Sequence, residues 1–263
     1  QVLTFLLKRF GWMIVTVWIV FTVSFFLMRQ IPGGPFNGER VLSEAVRARL
    51  EARYNLDAPI SEQYFTHLWN TVQLDFGPSF KMQDFTVNEV LAQGFPVSAA
   101  LGILGMVFAI SIGMTSGIVS AVRRNSAYDY SFMLLATLGI AIPNFVLAAL
   151  LIVVFVFNLQ MFPAAGWGDI SQIILPAFCL GAPFAGYIAR LTRTGMLEVL
   201  GNDYIRTAYA KGLSPRTVVL KHGLRGALLP VVSYLGPAIA GILTGSLVLE
   251  RIFVIPGMGS HFI

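Results

Sequence analysis

The chain holds a single cysteine, Cys179, so neither an internal disulfide nor a cysteine-based metal site can form. Charge is almost as scarce: 12% of residues are charged against 56% hydrophobic, with 21 Phe among 263 residues. A soluble domain of this length cannot cover so much apolar surface, and the chain is read as an integral membrane protein. No GxxxxGK[ST] loop occurs to cradle nucleotide phosphates, and no G-x-S-x-G marks an activated serine. His67, His222 and His261 fall in different segments and form no ligand-spaced cluster with Asp or Glu. The apolar runs carry no acid away from their ends, where an ion-coupled transporter would place one. These absences leave a membrane component without a motor of its own. A net charge of +5 then reads as loops that face anionic lipid and protein partners, with no role for nucleic acid.

What is present is a series of uncharged runs. Lys8 and Arg9 precede Phe10–Met28, long enough to cross a bilayer of roughly 30 Å and too long for a signal peptide. Phe95–Val122 carries Gly102, Gly105, Gly113 and Gly117, a spacing that lets helices pack closely in lipid. Tyr130–Gly168 is uncharged for 39 residues; Pro143, followed by Asn144, marks a kink or a cavity-facing bend in it. Ile170–Ala189 is interrupted by Pro176 and Pro183. Gly226–Leu249 is the last run, and the Glu250–Arg251 pair that ends it reads as a solvated anchor. Cys179, in an apolar run, reads as a small buried hydrophobe.

Two polar segments differ in sign. Residues 31–94 hold five basic and eight acidic residues. An amphipathic helix is predicted over Glu39–Tyr54, and a second over about Ser61–Leu74 with Ser61 as N-cap, ended by Asp75-Phe-Gly-Pro-Ser79. This segment reads as an external cap lying on the outer face, or as a lid that merely covers the spans. Residues 190–225 instead hold seven Lys/Arg and two acids, Glu198 and Asp203. The positive-inside rule places this loop, and the N-terminus, in the cytoplasm. Within it Gly212 sits where a left-handed helix end belongs, and Ser214-Pro215 reads as an N-cap and first helical position. Two short helices meeting at a tight corner are expected, a shape another protein can grip.

Thr207-Ala208-x-x-x-Gly212, with Leu228-Leu229-Pro230 downstream, resembles the EAA loop of ABC importer permeases. Arg206 stands where that family's leading Glu belongs, and the longer Gly212-to-Pro230 spacing resembles the oligopeptide/dipeptide/nickel subfamily, whose B-type subunit the whole chain resembles. The resemblance implies an all-α polytopic protein with the type I ABC importer permease fold. It would have five spans here, over 1–30 and 95–263, and a sixth beyond the turn Ile255-Pro-Gly-Met-Gly259; both ends of the chain are expected to be trimmed. It also implies a non-catalytic subunit of an importer in the bacterial plasma membrane that carries oligopeptides by alternating access. Two ABC ATPases would bind ATP and magnesium, with no cofactor on this chain. A homologous permease (a heterodimer) and an extracytoplasmic peptide-binding protein complete the expected partners. Tyr204, Arg206, Thr207, Ala208, Lys211, Gly212 and Leu213 would meet an ATPase, the small residues for close approach. Pro143, Asn144 and Pro183 are the candidates for the translocation path. The alternatives are an ion-coupled secondary transporter, a dipeptide or nickel ABC permease, and a membrane-anchored receptor or assembly factor.

Overall fold

The computed structural model describes residues 2–30, 58–79 and 85–261, all of whose regular elements are helical. The predicted Glu39–Tyr54 helix lies outside the described residues. The chain divides into two compact units, Gln1–Val90 and Leu91–Ile263.

In the first unit α1 (Val2–Gln30) is 29 residues of almost unbroken apolar sequence, about 44 Å at 1.5 Å per residue. Only Phe25 of it is buried by the chain's own residues. Its last turns pack on α2 (Ile60–Val72). There Phe21, Phe25 and Phe26 surround Tyr64, whose hydroxyl lies 2.8 Å from that of Thr22. Arg29 lies 3.6 Å above the Phe25 ring and donates to Gln63. Burial, with the Arg29 charge adding to it, lowers the His67 pKa and disfavours its imidazolium. The helix starts one residue before the expected Ser61: Pro59 occupies the cap position and Ile60 is the first helical residue. Leu74 and Gly77 then turn the chain in left-handed conformations, which a glycine adopts without steric cost.

The second unit is a helical bundle built on its long helix Ile170–Leu200. Helix α3 (Val87–Val122) begins two turns before the expected run, since Asn88 and Glu89 are tolerated at a helix start. Helix α6 (Ile170–Leu200) continues three turns past the expected Ala189. The close approaches fix the directions. A Cβ on Gly113 would meet the Ala185 carbonyl at 2.7 Å, and one on Gly117 the Ala189 carbonyl at 2.6 Å, so α3 runs parallel to α6 with their backbones nearly touching. The packing expectation for these glycines holds. Helix α4 (Ala127–Ala141) runs antiparallel, with Gly139 against Ala182 and Gly186 against Ala136. Helix α8 (Pro215–Leu243) is also antiparallel, with Gly195 against Ala227 and Tyr187 ringed with Tyr234.

The Tyr130–Gly168 run does not form one kinked helix. Ile142 and Pro143 are extended, and α5 (Asn144–Leu151), prolonged by π-helical turns over Ile152–Asn158, turns away from α4 by 113°. The residue before a proline is driven out of the α region, and here the break is complete. Among the described residues, four helices are thus long and apolar enough to cross a membrane, with a fifth crossing where α4 and α5 count as one broken span. Their outward Leu, Ile, Val and Phe side chains form the kind of surface that hydrocarbon covers and water does not. Nor does Gly226–Leu249 form a single run: Thr244 and Gly245 (φ +77°) end α8, and α9 (Leu247–Ile252) starts anew from Ser246, whose hydroxyl caps it.

Candidate functional site

The bundle end that carries Leu200 gathers the 123–126 turn, the last turns of α6, the helix α7 (Asp203–Ala210) and the first turns of α8. Only α7 projects. Gly201 and Asn202 reverse the chain, and the Asn202 carbonyl accepts from Ile205 and Arg206 at 3.1 and 3.4 Å to begin the helix. At three-residue spacing, Ile205 and Ala208 lie on one face, 1% and 6% exposed. They pack with Met196, Val199, Val218 and Ala227 into a small core separate from that of the main bundle. Burying Ile205 contributes about 1.5–3 kcal/mol to seating so short a helix.

The corner after α7 is satisfied bond by bond. The Leu213 N–H donates to the Ala208 carbonyl at 3.3 Å and the Gly212 N–H to the Tyr209 carbonyl at 2.9 Å, the pair of bonds that defines a Schellman motif. Gly212 supplies the left-handed residue at φ +76°. Ser214 then caps the next helix, its hydroxyl accepting from the Thr217 N–H at 3.4 Å, with Pro215 in the first turn. The corner is as expected, but the second helix is not short. It passes through π-helical turns over Val218–Gly223 directly into the long helix α8.

Of the seven residues expected to meet a partner, Tyr204, Arg206, Thr207, Lys211, Gly212 and Leu213 are exposed on this knuckle. Ala208 is not. It faces inward, so its small size serves the chain's own packing, and the expectation that it lies against a partner is corrected. Tyr209, 45% exposed, and Tyr204, 48% exposed, flank the buried face of α7 on its two sides, with the Tyr204 hydroxyl close to Gly226 of α8. The 3.3 Å pair between Arg206 and Asp203 is solvent-exposed on both sides and contributes little.

Valine at Gly212 is expected to cost about 1–2 kcal/mol, because a β-branched side chain resists positive φ although nothing lies within 4 Å of its Cβ. Limited tryptic cleavage at the adjacent Lys211 should accelerate about five- to thirtyfold, as that energy implies, while the bundle's thermal stability holds.

A buried ion pair braces the same bundle end. Asp129, 2% exposed in the first turn of α4, receives two hydrogen bonds from Arg193 of α6, at 2.7 and 2.8 Å. The Ser120 hydroxyl and the Asn125 N–H (2.9 Å) also donate to it, so one carboxylate joins α3, the 123–126 turn, α4 and α6. Asp129 and Arg193 are 64 residues apart, so no local pattern in the sequence joins them.

Farther along the bundle a cavity of about 360 Å³ opens among α3, α4 and α6, lined by small and apolar residues such as Phe108, Gly113, Phe132 and Ala185. Pro143, Asn144 and Pro183 are not part of its lining. Pro143 caps α5, its carbonyl accepting from Val146 and Leu147; Asn144 is the first residue of that helix and Pro183 lies within α6. Cys179 is fully buried, as expected.

Residues 109–263 match the family described as "Binding-protein-dependent transport system inner membrane component". Over 259 residues the chain is 50% identical to the dipeptide transport system permease protein DppB of Bacillus subtilis, covering 98% of this chain and 84% of that protein. It is 47% identical to the oligopeptide transport system permease protein OppB of Salmonella typhimurium, over 99% of this chain and 86% of that protein. A third relative, DppB of Lactococcus lactis, is 39% identical over 98% of this chain and 85% of its own length. With its several membrane-spanning helices, the chain belongs to the family of binding-protein-dependent transport system inner membrane components.

Proposed function

We propose that this chain is the membrane-spanning subunit of an ATP-driven importer that moves peptides into the cell, and that the knuckle at 203–213 is where an ATPase subunit grips it. The observation that carries the coupling reading is the division of α7 into two faces. Ile205 and Ala208 anchor it to the chain's own core, while Tyr204 and Tyr209 flank that buried face with nearly half of each residue exposed, and a Schellman corner closes the helix. Large exposed tyrosines on a pre-ordered element are the anchors protein interfaces favour.

In this reading the knuckle and the N-terminus lie in the cytoplasm and the α2 segment lies outside, where a peptide-binding protein docks. A homologous permease pairs with this one, two ATPases supply ATP and magnesium binding, and the chain itself binds no cofactor. Closure of the ATPases around ATP moves the two knuckles together, and the brace at Asp129 transmits that movement to α3, α4 and α6 as one body. The break at Pro143–Asn144 and the loosened turn at Pro183 lie on the path the peptide takes. Relatives named for dipeptides and for oligopeptides are similar to this chain to nearly the same degree, so both lengths remain within the class.

The orientation has its own test. In a Cys179→Ala background, Ser61→Cys, exposed on α2, should react with an impermeant thiol reagent added to intact cells. Ser214→Cys, exposed on the knuckle, should react only after permeabilisation. The reverse pattern overturns the orientation. Reconstituted without partners, the chain should neither hydrolyse ATP nor accumulate peptide under a proton or sodium gradient; gradient-driven uptake by the isolated chain would make it a secondary transporter.

A further inference from the structure

At the bundle end opposite the knuckle, α9 carries Glu250, which the sequence reading took for a solvated anchor. It is 1% exposed. Its carboxyl accepts hydrogen bonds from the Ser98 hydroxyl and the Gly259 N–H, both at 2.7 Å, and the Ser98 oxygen accepts from the Met258 N–H at 2.8 Å. Ser98 lies on α3, 152 residues away, and is itself fully buried. Glycine makes the room: a Cβ on Gly257 would come within 2.5 Å of the Glu250 Oε2, and one on Gly259 within 2.8 Å. Among the described residues no cation pairs with this acid. A buried carboxyl is costly, and packing alone would be better served by an apolar side chain.

A second observation lies four residues on. Val254 adopts φ +53° with 68% of its surface exposed, a left-handed backbone that a β-branched residue rarely takes. Phe253 and Ile255 on either side are sunk in the core, 1% and 2% exposed. The Gly166 N–H holds the Phe253 carbonyl at 2.9 Å, and the Ile255 N–H donates to the Glu250 carbonyl at 2.8 Å. Strain of this kind persists only where its surroundings over-determine it, and it concentrates where a segment must be held ready. Here the surroundings are the Glu250 clamp.

We propose that Glu250 is a positioning residue for transport: through Ser98 it fastens the hook of residues 253–259 to α3, so that the hook and α3 move as one body. Because α3 is packed backbone to backbone on α6, and α6 runs on to the knuckle, the clamp joins events at the hook to events at the ATPase end. This rests on the ATP-driven importer reading. Arg251, beside Glu250 on α9, is exposed and takes no part.

The test uses the complete transporter with Glu250→Gln and, separately, Ser98→Ala. Each removes donors or acceptors of the clamp without creating a large void. Complex abundance and basal ATPase activity should be unchanged. Peptide uptake per complex, and stimulation of the ATPases by peptide-loaded binding protein, should fall about tenfold, the effect of one lost hydrogen bond to a carboxyl group. In a Cys179→Ala background, labelling of Val254→Cys by a water-soluble maleimide should change in rate when either clamp variant is added. Unchanged stimulation together with unchanged labelling overturns the proposal. So does a uniform loss of abundance, basal activity and uptake in both variants, which is the signature of a merely structural role. The labelling arm needs no ATPase, so it decides the clamp even where the unmutated complex fails to hydrolyse ATP and the importer reading itself falls.

Discussion

Arg193→Leu is expected to destabilise the permease by about 3–5 kcal/mol, the range for stripping one partner from a buried ion pair. Asp129 is 2% exposed and draws four hydrogen bonds from two helices and a turn, two of them from Arg193. Without the guanidinium its carboxylate stays enclosed with only the Ser120 hydroxyl and the Asn125 N–H. The reverse change, Asp129→Asn, should be milder, about 1–3 kcal/mol. The Arg193 side chain keeps 26% of its surface exposed and can turn its charge outward, and asparagine can still accept from Ser120. The double variant Asp129→Leu/Arg193→Leu should recover much of the loss, since no buried charge remains. Half-lives of thermal inactivation of the purified protein would rank the three. Equal losses for both single changes, or a double variant as poor as the sum, would show that the pair does not brace the bundle in this way.

The knuckle variants should separate by face. The double change Tyr204→Ala/Tyr209→Ala removes exposed rings and leaves Ile205 and Ala208 seated, so abundance and thermal stability should match the unmodified chain. Binding of an ATPase subunit should weaken at least about thirtyfold, as loss of interface tyrosines commonly does. Ala208→Glu fails for a different reason. It drives a carboxylate into the apolar cluster of Met196, Val199, Val218 and Ala227 and should unseat α7 altogether, at about 2 kcal/mol or more. Protease sensitivity at Lys211 distinguishes them: raised in Ala208→Glu, normal in the tyrosine pair.

What could be read from sequence follows the range of the interactions. The corner at Gly212, Ser214 and Pro215 was legible because capping is settled within four or five residues. The spans were legible as uncharged runs, but not their ends. Helix α6 continues through Arg190, Arg193 and Glu198, and a hydropathy run stops at the first charge while the backbone helix does not. Pro143 reads from sequence as a kink or bend, yet a local signal cannot say whether the chain bends slightly or turns by 113°. Sequence alone does not show that Ala208 faces inward, because its inner neighbours, Val218 and Ala227, lie on another helix. Glu250 reads as solvated from sequence for the same reason in stronger form: Ser98, which donates to its carboxyl, is 152 residues away, and the adjacent Arg251 suggests an exposed pair.

The central claim is that the outer face of α7 is the grip for an ATPase. It is tested most directly by purifying the permease with Tyr204→Ala/Tyr209→Ala and measuring the ATPase subunits recovered per permease beside the unmodified complex. The account predicts a permease recovered in full with its ATPases largely lost and peptide uptake abolished. Full recovery of the ATPases with normal uptake would contradict it and leave the knuckle as a plain connection.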